Sequence, residues 1–331
     1  MADPLVSVIL ISYKKFEGIF QVLDSILNQT YPRLELIWQD DGSPDFAKYE
    51  DRIRKYIKCH QKENIENVVI SHLEQNLGTS RNVNAGIRLA KGKYVKLATT
   101  DDPFYSDDMI AKCVRTAERL NAGILAGQTY VLRRNTGRQA GKQKKDIVKN
   151  TMFYRLRARN GRLCTVTPSD RDISYLKKLD SRKCNELLAS RCIISTPSVF
   201  YRMDLLRETG GFLEDYRLIE DMTYWPYLAK RGEKFHFAHI RMMQYELNGI
   251  SNTANQEFLR DYQDIMEHIY ISNEVRGGLC NGLLKKLRLR QLQWTAKKRA
   301  GASWKDRIKY MDAMLYDFYY GLKYFITGSR L

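Results

Sequence analysis

An α/β fold, with a mostly parallel sheet flanked by helices and a helical region after it, is what this 331-residue sequence predicts. Three observations carry that expectation. Over residues 5 to about 131, short β-branched apolar runs alternate with amphipathic stretches, the strand-helix-strand rhythm of a parallel sheet. Strand material returns late, in "KFHFAHIRMMQYEL". From about 255 to 327, Tyr, Leu, Lys and Arg dominate in a wholly helical pattern.

The elements follow in order. "LVSVILIS" reads as a buried strand, since it is too short to span a bilayer and is followed by Lys14 and Lys15. "FEGIFQVLDSILNQ" places Phe16, Ile19, Phe20, Leu23, Ile26 and Leu27 on one helical face. "LELIWQ" and "NVVISHL" are strands, "TSRNVNAGIRLAKG" a helix, "KYVKLAT" a strand, residues 106 to 120 a helix and "GILAGQTYVL" a strand. Residues 133 to 170 break the rhythm and read as a mobile basic loop. Beyond it come a strand in "CIISTPSVFYR", a helix in "DLLRETGGF" ending at glycine, and a helix in "EDMTYWPYLAKRG" interrupted or kinked at Pro226.

The net charge of +17 is uneven. Residues 133 to 162 hold eleven Lys/Arg and one acid, and residues 276 to 331 hold thirteen and three, so each segment carries +10 and the remainder is slightly acidic. Six widely spaced cysteines without a CxxC pair argue against a zinc site or a disulfide framework and fit a reducing cytoplasm.

Four constellations carry chemistry. In "QDDGSPD", Asp40 and Asp41 end a strand. They form either an Asp-Gly turn with Ser43 or Asp45 capping the next helix, or a carboxylate that accepts the imide N–H of a pyrimidine base. In "NLGTSRNVNAGIRLAKG", Gly78 and Gly86 allow close backbone approach, while Asn76, Ser80, Arg81, Asn82 and Asn84 offer hydrogen bonds around a helix start. In "ATTDDPFYSDD", Asp101 and Asp102 follow Thr100 at a strand end, where a divalent cation would relieve their repulsion; the plain alternative is a solvated turn before a helix capped at Ser106. In "RLIEDMTYW", Glu220 and Asp221 open a helix, as dipole partners or as a general base for a hydroxyl.

Together, in this order and spacing, the four resemble the inverting family-2 glycosyltransferases of the GT-A (Rossmann-like) fold over roughly residues 5 to 250. The resemblance implies a nucleotide diphosphate sugar donor, UDP- or dTDP-linked, and a hydroxyl of a saccharide acceptor. It assigns Asp221 as the catalytic base and Asp102, with Asp101, to Mn²⁺ or Mg²⁺, ions that take their other ligands from water and the diphosphate. It places Ile11, Ser12, Tyr13, Asp40, Asp41, Asn76, Gly78, Arg81, Asn84, Thr100 and Asp101 on the donor side. Two departures stand out: Thr99 occupies the first acid of the common D-x-D-D motif, and Arg81 lies two residues before the usual arginine position, here Val83. His239 and the stretch from Tyr245 to Ser251 fall where members of the family often close over the diphosphate, though a lone His in a strand is more often a packed core residue.

The expected division is a donor-binding and catalytic domain over 1–252, with its basic acceptor-side loop at about 133–170, and a basic, aromatic-rich helical region over 253–331. Its helices suit an anionic membrane surface, or pack back on the catalytic domain with solvated basic faces. A cytoplasmic, peripheral enzyme of surface-polysaccharide or lipid-linked oligosaccharide synthesis follows by family analogy. Rival readings are a polyprenyl-phosphate glycosyltransferase, a nucleotidyltransferase, or a basic nucleic-acid binder. The last has no need for acidic pairs at strand ends, so nucleic acid is not expected as a partner.

Overall fold

The computed structural model describes residues 2–133, 157–159, 162–246, 255–273, 282–299 and 302–327. Four parallel strands begin it: β1 (Val6–Ser12), β2 (Leu34–Asp40), β3 (Ile65–His72) and β4 (Tyr94–Thr99), in spatial order β3-β2-β1-β4. β1 and β2 are buried on both faces because helices cover both. The order reverses on either side of β1, and this reversal opens a crevice at the carboxyl ends of the strands.

The second half of the sheet is mixed. β5 (Ile124–Arg133) is joined to β4 through the short antiparallel β8 (Val199–Arg202), and β9 (Phe235–Glu246) runs parallel to β5. Part of the segment expected as a loop is sheet: β6 (Arg157–Arg159) and β7 (Arg162–Thr167) form a hairpin that extends β5 antiparallel. Alternation in "RLCTVT" allows this strand, but the surrounding lysines and arginines obscure it. The rest of the basic loop, from 134 to 156, lies outside the described residues, as do 247 to 254.

Two layers of helices cover the sheet. Helices Ile19–Leu27, Phe46–His60 and Met109–Leu120 pack on one face, around Leu10, Trp38 and Ala98. Helices Thr79–Leu89, Asp170–Leu176, Ser181–Ser190, Met203–Thr209 and Asp221–Lys230 pack on the other, around Ile9, Leu97, Val199 and Tyr201. Gly86 is there for close approach, since a Cβ would lie 2.5 Å from Ile9 Cγ2. The helix from Met203 stops at Gly210, at φ +76°, whereas the helix from Asp221 continues through Pro226 to Lys230. Neither predicted serine cap forms. The helices at 46 and 109 start without a side-chain cap bond, and Ser43 and Ser106 turn to Asp40 and Asp108 instead.

The last third is helical where described. Gln256–Ile265 runs on into a π-helical turn, Met266–Ile271, and Phe258, Ile265 and Tyr270 share a small core with Ile219 and Met222. This first helical stretch therefore packs back, against the residues on either side of Glu220 and Asp221. Gly282–Arg299 then pairs with Met311–Thr327, preceded by the short helix Trp304–Lys309. Their contact includes Trp294, Tyr310 and Ala313, with Arg290 bound to Asp312 and Gln291 to Asp317. No helix among the described residues is long and apolar enough to cross a membrane.

Candidate active site

The strand register places three of the four constellations on one edge. Ser12 is paired with Asp40 and Ile11 with Thr99, so β1, β2 and β4 end together and deliver Tyr13, Asp41 and Thr100–Asp102 to the same rim. Gly18 closes this rim from the side: a Cβ there would sit 2.6 Å from the Thr100 carbonyl oxygen.

Asp40 is fully buried and fully engaged. It accepts from the Ser12 hydroxyl (2.6 Å), the Ser43 amide (2.7 Å) and hydroxyl (2.8 Å), and His72 Nδ1 lies 2.9 Å away. Ser12 in turn accepts from Trp38 Nε1. Asp41 reaches across to the start of the helix Thr79–Leu89, accepting from the Leu77 amide (2.7 Å), the Gly78 amide (2.9 Å) and Asn76 Nδ2 (2.9 Å). Burial raises its pKa, opposed by those two amides and by the Arg217 charge. Gly78 is required at φ +91°, and a Cβ would collide with Arg217 at 2.2 Å from Cγ.

Asp101 and Asp102 are far less well supplied. Thr99 Oγ1 lies 3.1 Å from Asp101 Oδ1 and donates more closely to Asp102 Oδ2, at 2.8 Å, while Lys15 Nζ stands 3.7 Å from Asp101. Asp102 is 4% exposed, and burial first, then the charge of Asp101, pushes its carboxyl up to about 7. Below the pair lies a residue the sequence reading passed over. Lys96 is completely buried in β4, its ammonium donating to the Pro197 carbonyl at 2.7 Å and to that of Leu97, and burial pushes its pKa down to about 7. The one hint was a lysine inside an otherwise apolar strand.

Two carboxylates and a hydroxyl are hard oxygen donors, and a buried, under-compensated acid is stabilised by a cation. The residues fit Mg²⁺ or Mn²⁺ as a partial site only, and no group of three or more His, Cys, Asp or Glu that could hold a metal occurs among the described residues.

Glu220 and Asp221 lie at the start of the helix Asp221–Lys230. Asp221 lies 3.4 Å from the Thr196 amide. Burial first, and the Asp221 charge second, pushes Glu220 up to about 8, and burial also raises Asp221. The turn Thr196–Ser198 therefore connects the two acidic pairs. Its first residue meets Asp221, its second holds Lys96, and the Lys96 charge acts on Asp102.

Three predicted residues have other partners. Asn84 is buried and bonds Phe212 through its main-chain N–H and carbonyl, while Arg81 pairs with Glu214 on the surface at 3.0 Å. Both fasten the segment that leads to Glu220. His239, on β9, pairs with Asp170 at 3.3 Å at the margin of the sheet, beside an open cavity of about 330 Å³ lined by Asp170, Arg171, Ser174, Tyr175 and Lys178. The end of β9 does approach the acids: the Gln244 amide bonds the Pro103 carbonyl (2.8 Å) and the Tyr105 amide that of Met242 (3.0 Å). Only Tyr245 and Glu246 of the predicted closing stretch fall within the described residues.

A sheet whose parallel strands end in acidic turns at one edge defines a doubly wound type of α/β protein. The profile of glycosyl transferase family 2 matches residues 7–179, just over half of the chain, and the chain belongs to that family. Over 133 residues it is 30% identical to the putative teichuronic acid biosynthesis glycosyltransferase TuaG of Bacillus subtilis, covering 40% of this chain and 50% of TuaG. The chain spans about half the length, or less, of such curated relatives. Among solved structures, S. aureus TarS 1-349 in complex with UDP-GlcNAc superposes with a TM-score of 0.54 at 14% identity, covering 93% of this chain and 79% of that one. The mannosyltransferase PcManGT from Pyrobaculum calidifontis, in complex with GDP-Man and Mn²⁺, gives 0.55 at 15% identity, covering 95% and 81%. The fold is GT-A.

Proposed function

We propose that the chain transfers a sugar from a UDP- or dTDP-sugar to a hydroxyl of a saccharide acceptor, with inversion at the anomeric carbon. One observation carries the reading: the Thr196–Ser198 turn meets Asp221 through the Thr196 amide and holds, through the Pro197 carbonyl, the lysine whose charge acts on Asp102. Asp102, with Asp101, would hold Mn²⁺ or Mg²⁺, which when bound neutralises the diphosphate leaving group. Asp221 accepts the proton of the attacking hydroxyl, and burial, which raises its pKa, makes it a better acceptor. Tyr13, Asp41, Asn76 and Thr100 line the nucleoside side of the rim.

The relatives' names and the two basic segments support an acceptor in surface-polysaccharide or lipid-linked oligosaccharide synthesis, met at an anionic cytoplasmic membrane face. The test is thermal shift with UDP-, dTDP- and GDP-sugars with and without Mn²⁺, followed by transfer assays. A UDP- or dTDP-sugar should stabilise the chain in a Mn²⁺-dependent way. Asp221→Asn should lower turnover about 100-fold or more with that shift retained. Full activity in excess chelator would exclude the metal, and full activity of Asp221→Asn would exclude the base.

A further inference from the structure

The C-terminal hairpin presents an apolar stripe that is largely exposed. Trp304, Ile308, Met311, Leu315, Phe318 and Tyr319 are between 50% and 67% exposed, in a protein whose sheet helices bury their apolar faces. Within the helix from Met311, the series 311, 314, 315 and 318 has the i, i+3, i+4, i+7 spacing of a single face. The opposite side is occupied, because Tyr310 and Ala313 pack on Trp294 while Asp312 and Asp317 bind Arg290 and Gln291.

Charge is sorted along the same segment. Its three acids are used internally: Asp312 and Asp317 within the hairpin, and Asp306 in a capping box with Ser303. Lys305, Arg307 and Lys309 stay exposed beside Trp304 and Ile308. Arg290, by contrast, is spent on Asp312, so it is the wrong residue to neutralise in testing a surface role.

We propose that this stripe, Trp304 to Tyr319, is the surface by which the chain docks on an anionic lipid bilayer, lying in the interface plane with its basic residues among the headgroups. An apolar face flanked by exposed cations fits that surface. A second copy of the chain fits worse, because each copy would bring the +10 of residues 276 to 331 against the same charge. The inference rests on the membrane part of the proposed function and not on its chemistry.

Vesicle flotation of the full chain tests it, with phosphatidylcholine alone and with roughly a third phosphatidylglycerol. Binding is expected to the mixed vesicles, weakening with salt. Leu315→Asp and Ile308→Asn should each lower it about tenfold or more, as loss of an inserted apolar group requires. Lys305→Gln with Arg307→Gln and Lys309→Gln should remove most of the salt dependence. Both sets should keep the wild-type thermal shift with nucleotide sugar, which separates failure of docking from failure of the donor site. Undiminished flotation of both apolar variants overturns the proposal, as does no binding by wild type. A concentration-dependent dimer in light scattering that Leu315→Asp abolishes also overturns it.

Discussion

Asp40–Asp41 and Asp101–Asp102 are the same dipeptide at the same sheet edge, and the fold treats them oppositely. The first pair is met by Ser12, Ser43, His72, Asn76, Leu77 and Gly78, drawn from four segments. The second has one shared hydroxyl and a lysine at 3.7 Å. A buried carboxylate with its hydrogen bonds made, as at Asp40, is architecture; one without them retains an electrostatic deficit that an incoming cation can relieve. Supply of donors, not the acidic residues themselves, separates the two roles.

The contrast breaks most sharply at Asp102→Asn. Transfer should fall by about 100-fold or more as the metal carboxylate is lost. Stability of the ligand-free chain, read by urea unfolding, should stay level or rise, because a crowded buried charge has gone. A large loss of stability would place Asp102 with Asp40 as a structural acid.

Next in size is the pH profile of turnover. Glu220 is pushed up to about 8 beside Asp221, so the pair keeps a proton near neutrality and turnover should rise towards that pH as the base becomes free. Glu220→Gln removes the neighbouring negative charge and should move the rising limb to lower pH. A limb that stays in place would separate the base from this pair.

Asp40→Ala leaves the buried hydroxyls and amide around it without their acceptor and should cost about 2–4 kcal/mol in urea unfolding. Less than about 1 kcal/mol would remove the distinction between the two turns. Lys96→Met probes the floor of the weaker pair. The folded pKa of Lys96, about 7, lies below its ordinary 10.5, so between those values the unfolded chain binds a proton that the folded chain does not. Wild-type stability should therefore gain with rising pH across that window relative to Lys96→Met, and parallel pH curves would contradict the burial of this amine. Smallest of all, Arg81→Ala breaks an exposed ion pair and should cost under about 1 kcal/mol with nucleotide-sugar binding intact. A tenfold weaker donor would return Arg81 to the site.

Much of this was legible in the residues. "LVSVILIS", "LELIWQ" and "KYVKLAT" announce strands because a doubly covered parallel sheet needs continuous apolar runs, and β1, β2 and β4 lie there. Gly78 and Gly86 signalled close approach, although Arg217 and Ile9 as the neighbours did not show. The hairpin at 157–167 was hidden by basic residues on a strand at the sheet margin. Asn84 looked like a donor contact because an amide beside a helix start offers the same groups to a ligand and to Phe212.

What the sequence determined by itself was local: the order and type of the elements, the turns that end the strands, and the presence of four acidic or glycine-bearing motifs. Periodicity and turn chemistry act over a few residues, so they can be read without the fold. Tertiary structure alone decided which acids are satisfied and which remain open. Asp41 depends on amides 36 and 37 residues away, Asp221 on an amide 25 residues away, and Lys96 on a carbonyl 101 residues away. Those donors and acceptors meet only once the sheet has brought the ends of its strands to one edge.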